Sequence, residues 1–244
     1  MERRLKYRLR MDEFRQKIAW LRNRALRTDD QAGDVPDANM VESEGGEVVR
    51  EGALVQLRRH VVANRSAFQR WYADEEIAKL LRHDQRPLNN LQSRSYFDTV
   101  MLPASAQGHA WGIHERASGR LIGSCALTDF EGTRHRSAYF RILIGEKAWW
   151  GHGYGREATE LTMQEAFERL ALDEVKLEVF STNERAVRAY ARVGFQQIGE
   201  HREWVGRDHF ELHVLEMSMY RGEFEDRGVI PNHTPVVEAT DQLA

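Results

Sequence analysis

The sequence predicts a mixed α/β fold, one domain carrying an N-terminal helical extension, and three observations support this. The stretch from Ile142 to Phe195 reads as strand, glycine turn, helix, strand, helix. Runs of period two before and after it, such as Leu121 to Leu127 and Phe210 to Met219, supply further strands. A length of 244 residues suits one good core plus extensions and falls short of two full domains.

Taken in order, residues 1–28 form their own unit. Tyr7, Met11, Phe14, Ile18, Leu21 and Ala25 recur at alternating spacings of four and three, an apolar helical stripe among 10 basic and 3 acidic residues. Such a helix docks on its own domain or pairs with a second copy; binding to nucleic acid or an anionic surface is the alternative. Residues 29–50, with Asp29, Asp30, Asp34, Asp37, Glu42 and Glu44, read as an acidic linker without periodicity. The domain is expected over 51–222. It opens with a short strand Ala53–Leu57, then helices Val61–Tyr72 and Glu75–Arg82, the second with acidic residues in its first turn. Leu91 to Val100 is another helix. Trp111–Glu115 and Leu121–Leu127 form a hairpin around Ser118-Gly119, and Ser137–Ile144 is a strand. Beyond the glycine turn come a helix to about Leu172, a strand Val175–Phe180, a helix from Asn183, and strands Gln196–Glu200 and Phe210–Met219. Residues 223–244 read as a tail.

The glycine turn carries chemistry because a helix follows it directly. Gly151, Gly153 and Gly155 allow backbone conformations closed to other residues and a close approach by a ligand. The unpaired N–H groups and positive dipole end of the helix point into the turn, which suits phosphate. The spacing matches neither the dinucleotide Gly-x-Gly-x-x-Gly nor a P-loop, and a turn without a ligand remains open on the glycines alone.

Downstream, Asn183, Ala186, Tyr190, Gly194 and Phe195 fall as Asn-x-x-Ala-x-x-x-Tyr-x-x-x-Gly-Phe. Together with Trp150-Gly151-His152-Gly153-Tyr154-Gly155-Arg156-Glu157-Ala158, this resembles the acetyl-CoA-binding core of the GNAT N-acetyltransferases. The branch it looks most like includes the ribosomal-protein N-terminal acetyltransferases and related bacterial small-molecule acetyltransferases. Many GNAT proteins carry Arg or Gln where Trp150 stands; Trp is usual in this branch. The resemblance implies a mostly antiparallel central sheet flanked by helices, and acetyl transfer from acetyl-CoA to a primary amine. It also implies that the strands ending at Ile144 and Phe180 splay apart. Backbone groups of Gly151, His152, Gly153, Tyr154, Gly155 and Arg156 would then hold the pyrophosphate, and Leu143, Ile144 and Gly145 would pair with the pantetheine amides.

Direct attack of an amine on a thioester needs placement, a proton acceptor and a proton donor, with no enzyme nucleophile. Tyr190 is the expected general acid, since a phenol keeps its proton at neutral pH; a core aromatic is the alternative. Asn183 is expected to cap its helix, and in the family it also contacts the cofactor arm. Asp129 and Glu131, just past a strand end, lead the candidates for the base, with Glu211 and His213 behind them. His209 and His213 in one strand stand about 13 Å apart, too far for a shared metal.

A formal charge of −3 argues against nucleic-acid binding by the whole chain. No apolar run approaches the roughly 20 residues a bilayer requires, and no signal-peptide pattern is seen. The lone Cys125 suits a reducing cytoplasm and, in its apolar strand, an inert thiol. The partners expected are an amine and a possible second copy through the N-terminal helix. A catalytically silent acyl-CoA-binding module stays open as a rival.

Overall fold

A computed structural model describes residues 46–205 and 210–226. The expected N-terminal helix, most of the acidic linker, His209 and most of the tail lie outside the described residues.

The sheet has eight strands: β1 (Val48–Glu51), β2 (Val55–Arg58), β3 (Ala110–Glu115), β4 (Leu121–Glu131), β5 (Ser137–Ile144), β6 (Glu174–Phe180), β7 (Gln196–Val205) and β8 (Phe210–Tyr220). They lie in the order β1-β2-β3-β4-β5-β6-β8-β7. Every pair is antiparallel except β5 with β6. That parallel pair requires a crossover, which the chain makes through the glycine turn and α5 (Tyr154–Gln164). The domain begins earlier than expected, because Val48 to Glu51 form a strand rather than the end of the linker.

Before β3, α1 (Arg65–Ala73) buries Ala67, Phe68 and Trp71 on one face. In α2 (Glu75–Leu81) the cap is Asp74, whose side chain accepts the Ile77 N–H at 3.0 Å. A reciprocal cap between Asn89 and Gln92 starts α3 (Asn90–Tyr96). The helix expected over Leu91–Val100 is present, and it continues from α3 through a widened turn, Phe97–Met101, into α4 (Leu102–Ala106). A similar widened turn, Glu165–Arg169, extends α5. Asn183 caps α6 (Glu184–Val193), as expected, accepting the Ala186 N–H at 3.3 Å.

The two faces of the sheet carry separate cores. Against α5 and α6 pack Phe140, Leu161, Val175, Leu177, Val179 and Phe195. Against α1 and α3 pack Phe68, Trp71, Phe97, Met101 and Ala126. Each large apolar side chain fully withdrawn from water contributes about 1.5–3 kcal/mol. Cys125 is buried beside Thr162, and burial pushes its thiol up to about 12, as an inert core cysteine should be. The tail starts later than expected: Arg221–Glu225 is a helical turn, α7, with Phe224 buried against Phe167 at a ring distance of 5.3 Å.

Glu157 is a structural anchor. Its carboxylate accepts the backbone N–H groups of Ala53, Leu54 and Val55 at 2.7–2.8 Å, tying the β1–β2 turn to α5.

Candidate active site

Pairing between β5 and β6 covers three positions, Ser137–Glu174, Ala138–Val175 and Tyr139–Lys176. Beyond them β5 stays with β4 as far as Ile144, while β6 stays with β8 as far as Phe180. Each strand therefore follows a different neighbour, and the sheet opens between their carboxyl ends. A cleft of about 470 Å³ occupies the opening. It is lined by Ile142, Leu143 and Ile144, the glycine turn, the start of α5, one side of α6, and Leu80 and Leu81 of α2.

The peptide groups available to a ligand differ from those expected. The Gly145 N–H donates to the Ile122 carbonyl at 2.9 Å, and the Leu143 carbonyl lies against Gly123 on β4. Peptide groups alternate sides along a strand, so Ile142 and Ile144 present theirs to the opening. The Ile144 carbonyl accepts the Trp150 indole N–H at 2.7 Å. Gly145 serves packing: a Cβ there would stand 2.1 Å from the Trp71 ring, and the residue lies outside the cleft lining.

In the turn, Gly151 and Gly153 hold φ of 84° and 92°, the left-handed region that excludes most side chains. Gly155 lies in the first turn of α5 with ordinary backbone, and its missing side chain leaves room beside Ile144. His152 is exposed and lines the cleft; Tyr154 packs into the core with its backbone alone in the turn. Arg156 lines the cleft 3.5 Å from Glu160. Arg185, Arg188 and Arg192 of α6 also line it, and sequence reasoning missed them. Their spacing of three and four places them on one helical side, which was the available signal. Arg185 stacks on the Trp150 ring at 3.9 Å, linking α6 to the end of β5. A chain of cations beside free helix N–H groups suits a phosphorylated donor.

Tyr190 is half-buried at the cleft wall, edge-on to Phe140 at 6.3 Å and to Phe195 at 6.0 Å. No protein group among the described residues hydrogen-bonds its hydroxyl. Burial raises its pKa well above the ordinary tyrosine value, so it holds its proton at neutral pH.

The residues expected to supply the base do not line the cleft. Strand β4 runs antiparallel to β5, so its last residues meet the beginning of β5, away from the opening. Glu131 pairs with Ser137 there and lies 3.7 Å from Lys176. Asp129 is exposed at φ 51°, accepts the Thr128 hydroxyl at 2.8 Å and lies 3.5 Å from Arg141. Glu211 faces Arg202 at 3.4 Å, and His213 lies 3.1 Å from Glu200. Among the described residues no group of three or more His, Cys, Asp or Glu could hold a metal, and no helix is long and apolar enough to cross a membrane.

A parallel strand pair opened at its carboxyl ends, with a glycine-turn helix and a protonated phenol lining the gap, defines a transferase domain that draws an extended, phosphorylated donor into a split sheet. The chain belongs to the GNAT acetyltransferase family: the model of the acetyltransferase (GNAT) domain matches residues 55–196, more than half of its length. Among curated proteins it is similar to the uncharacterized N-acetyltransferase YoaA of Bacillus subtilis. The two are 27% identical over 99 residues, 41% of this chain, and the chain spans 55% of that relative's length. Among solved structures it resembles a spermidine N-acetyltransferase from Vibrio cholerae in complex with CoA and spermine, at 19% identity and TM-score 0.61, over 71% of this chain and 99% of that one. It also resembles a ribosomal-protein-S5-alanine acetyltransferase from Vibrio fischeri, at 13% identity and TM-score 0.59, over 73% and 99%. At these identities the structural likeness concerns the fold.

Proposed function

We propose that this chain is an acetyl-CoA-dependent N-acetyltransferase that moves an acetyl group to a primary amine by direct attack on the thioester. One observation carries the reading: among the described residues the Tyr190 hydroxyl has no partner, and it stands at a cleft where β5 and β6 part, together with a bare-backbone anion turn. The peptide groups of Ile142 and the Ile144 N–H suit the amides of a pantetheine arm, and Arg156, Arg185 and Arg188 suit its phosphates. When bound, acetyl-CoA supplies an activated acyl carbon. The chain's own work is to hold that carbon at the mouth of the split sheet, and to give the departing sulfur the Tyr190 proton. The names of the two structural neighbours, one acting on spermidine and one on a protein alanine, support an amine acceptor. A silent binding module has no observation in its favour.

The test is release of free CoA thiol from acetyl-CoA by the full chain against peptides with free N-termini, polyamines, amino acids and aminoglycosides. Turnover with one group supports the reading and names the acceptor class; no turnover with any of them, whether or not acetyl-CoA binds, counts against it. Pairing of two copies through residues 1–28 is a separate proposal, resting on their apolar stripe. Sedimentation of the full chain beside one lacking those residues should show the dimer lost. The lone cysteine fits a cytoplasmic setting.

A further inference from the structure

The general base is missing from the residues considered so far, and a histidine against the end of β6, just beyond the cleft lining, fits it. His83 follows α2 by two positions, and Leu80 and Leu81 of that helix line the cleft. Its ring stands edge-on to Phe180, the last residue of β6, at 5.3 Å and 81°. Its Nδ1 lies 2.7 Å from Glu203 Oε2 on β7, across 120 positions of sequence. An ionised carboxylate can only accept, so Nδ1 carries a proton, and in the neutral ring the lone pair is on Nε2. No other protein group among the described residues hydrogen-bonds His83, and its side chain is 21% exposed, open to a small ligand.

The rest of the network holds this tautomer. Glu203 Oε1 lies 3.2 Å from His201 Nε2, and His201 Nδ1 lies 2.9 Å from Glu216. The bond to Glu203 foremost raises the His201 pKa, which favours the cation, the form in which both nitrogens donate. Burial opposes the charge on Glu203, but bonds from His201 and His83 overcome it and hold the carboxyl well below the usual range. Nearby alternatives are engaged: Asp74 and Glu76 hold Lys147 at 2.8 and 2.7 Å, and Glu146 takes the Trp71 indole at 3.0 Å together with Arg70 and Arg120.

We propose that His83, oriented by Glu203, is the catalytic base that takes the proton from the acceptor amine. The inference rests on the N-acetyltransferase reading above. An ammonium substrate gives one proton to solvent as it binds. The free amine nitrogen forms a bond to the thioester carbon, and its surplus proton passes to His83 Nε2. The carbon–sulfur bond breaks with its electron pair on sulfur, which takes the Tyr190 proton. His83 then gives up its proton and Tyr190 regains one through solvent, so one proton is released per amide formed.

The test compares the wild-type chain with His83→Asn, whose amide still donates to Glu203 but has no basic nitrogen, using spermidine and an alanine-starting peptide as amines. The wild type should turn over at least one of them. The variant should lose about 10²–10⁴-fold in kcat, keep its affinity for acetyl-CoA within twofold, and regain part of its rate with added imidazole. A readout independent of turnover is nitrogen NMR of the labelled histidines at a pH of about 8, above the ordinary histidine range. It should show His83 protonated at Nδ1, and a mixture of tautomers in Glu203→Gln. A His83 protonated at Nε2, or a His83→Asn variant within threefold of the wild-type kcat, overturns the assignment while leaving the acetyltransferase reading intact. A wild type that acetylates no amine in the full panel removes both.

Discussion

The side of the opening that faces α5 and α6 and the side that faces α2 and the β7–β8 pair are assembled in opposite ways. The first comes from one contiguous stretch, Ile142 to Tyr190, and offers mostly backbone: the turn around Gly151 and Gly153, the α5 N-terminus and the free peptide groups of β5. The second, as proposed, joins groups far apart in the chain, His83 with Phe180 and Glu203, and offers side chains. Backbone recognition suits a donor that never changes. Side-chain recognition can be respecified one residue at a time and suits an acceptor that varies between relatives. Substitutions on the donor side should therefore act through conformation and anchoring, with Tyr190 as its one chemical group.

The largest effect expected on that side is at Tyr190. Replacement by Phe keeps the contacts with Phe140 and Phe195 and removes the proton donor. Steady-state kcat should fall by about 10² or more, with acetyl-CoA affinity by calorimetry within twofold. Equal losses in both would make Tyr190 a packing residue.

Acid should lower stability through the core on the other face of the sheet. On the α1 side, His60 is buried between the rings of Phe68 and Phe97, with Asn64 at 3.2 Å and Ser124 at 2.9 Å. Burial lowers its pKa to about 4. The unfolded chain takes up this proton near the ordinary value of about 6.5. The contribution is therefore complete above that pH, falls as pH drops from about 6.5 to 4, and then levels, for up to about 3 kcal/mol. Urea unfolding at pH 7 and pH 4.5 should show a smaller acid loss in His60→Gln than in the wild type. An unchanged loss would place the acid sensitivity elsewhere.

Much of the donor side was legible because its signals are local. The strand Ser137–Ile144, the glycine turn and the Asn183 cap each rest on residues a few positions apart, and each appears where it was expected. The splay itself depends on β5 and β6 choosing different partners, which no local pattern encodes. Strand β1 was missed because Val48 to Glu51 are few and follow an acidic connector without alternation. Asp129 and Glu131 were sensible by composition, but antiparallel pairing carries them to the wrong end of β5. The link from His83 to Glu203 spans 120 positions and left no trace in spacing.

Two smaller effects sharpen the contrast. Glu157→Gln should lower stability by about 2 kcal/mol, since charge-assisted bonds to the N–H groups of Ala53, Leu54 and Val55 weaken together. The check is the shift in thermal midpoint, with acetyl-CoA affinity following only as far as the β1–β2 turn moves. Gly153→Ala places a side chain at φ 92° with a Leu54 methyl 3.4 Å away. It should weaken acetyl-CoA binding by about tenfold through a strain of 1–2 kcal/mol, leaving kcat at saturation nearly intact. Wild-type affinity in this variant would mean that the turn is not the anion cradle.

The most direct measurement follows the acyl group itself. The full chain is incubated with acetyl-CoA labelled in the acetyl carbon and with the panel of amines, and the label is traced by mass spectrometry alongside thiol release. The account predicts label in a new amide on one class of amine, matched one for one by free CoA thiol. Thiol released with the label recovered as acetate, or no label leaving acetyl-CoA with any amine, would contradict it.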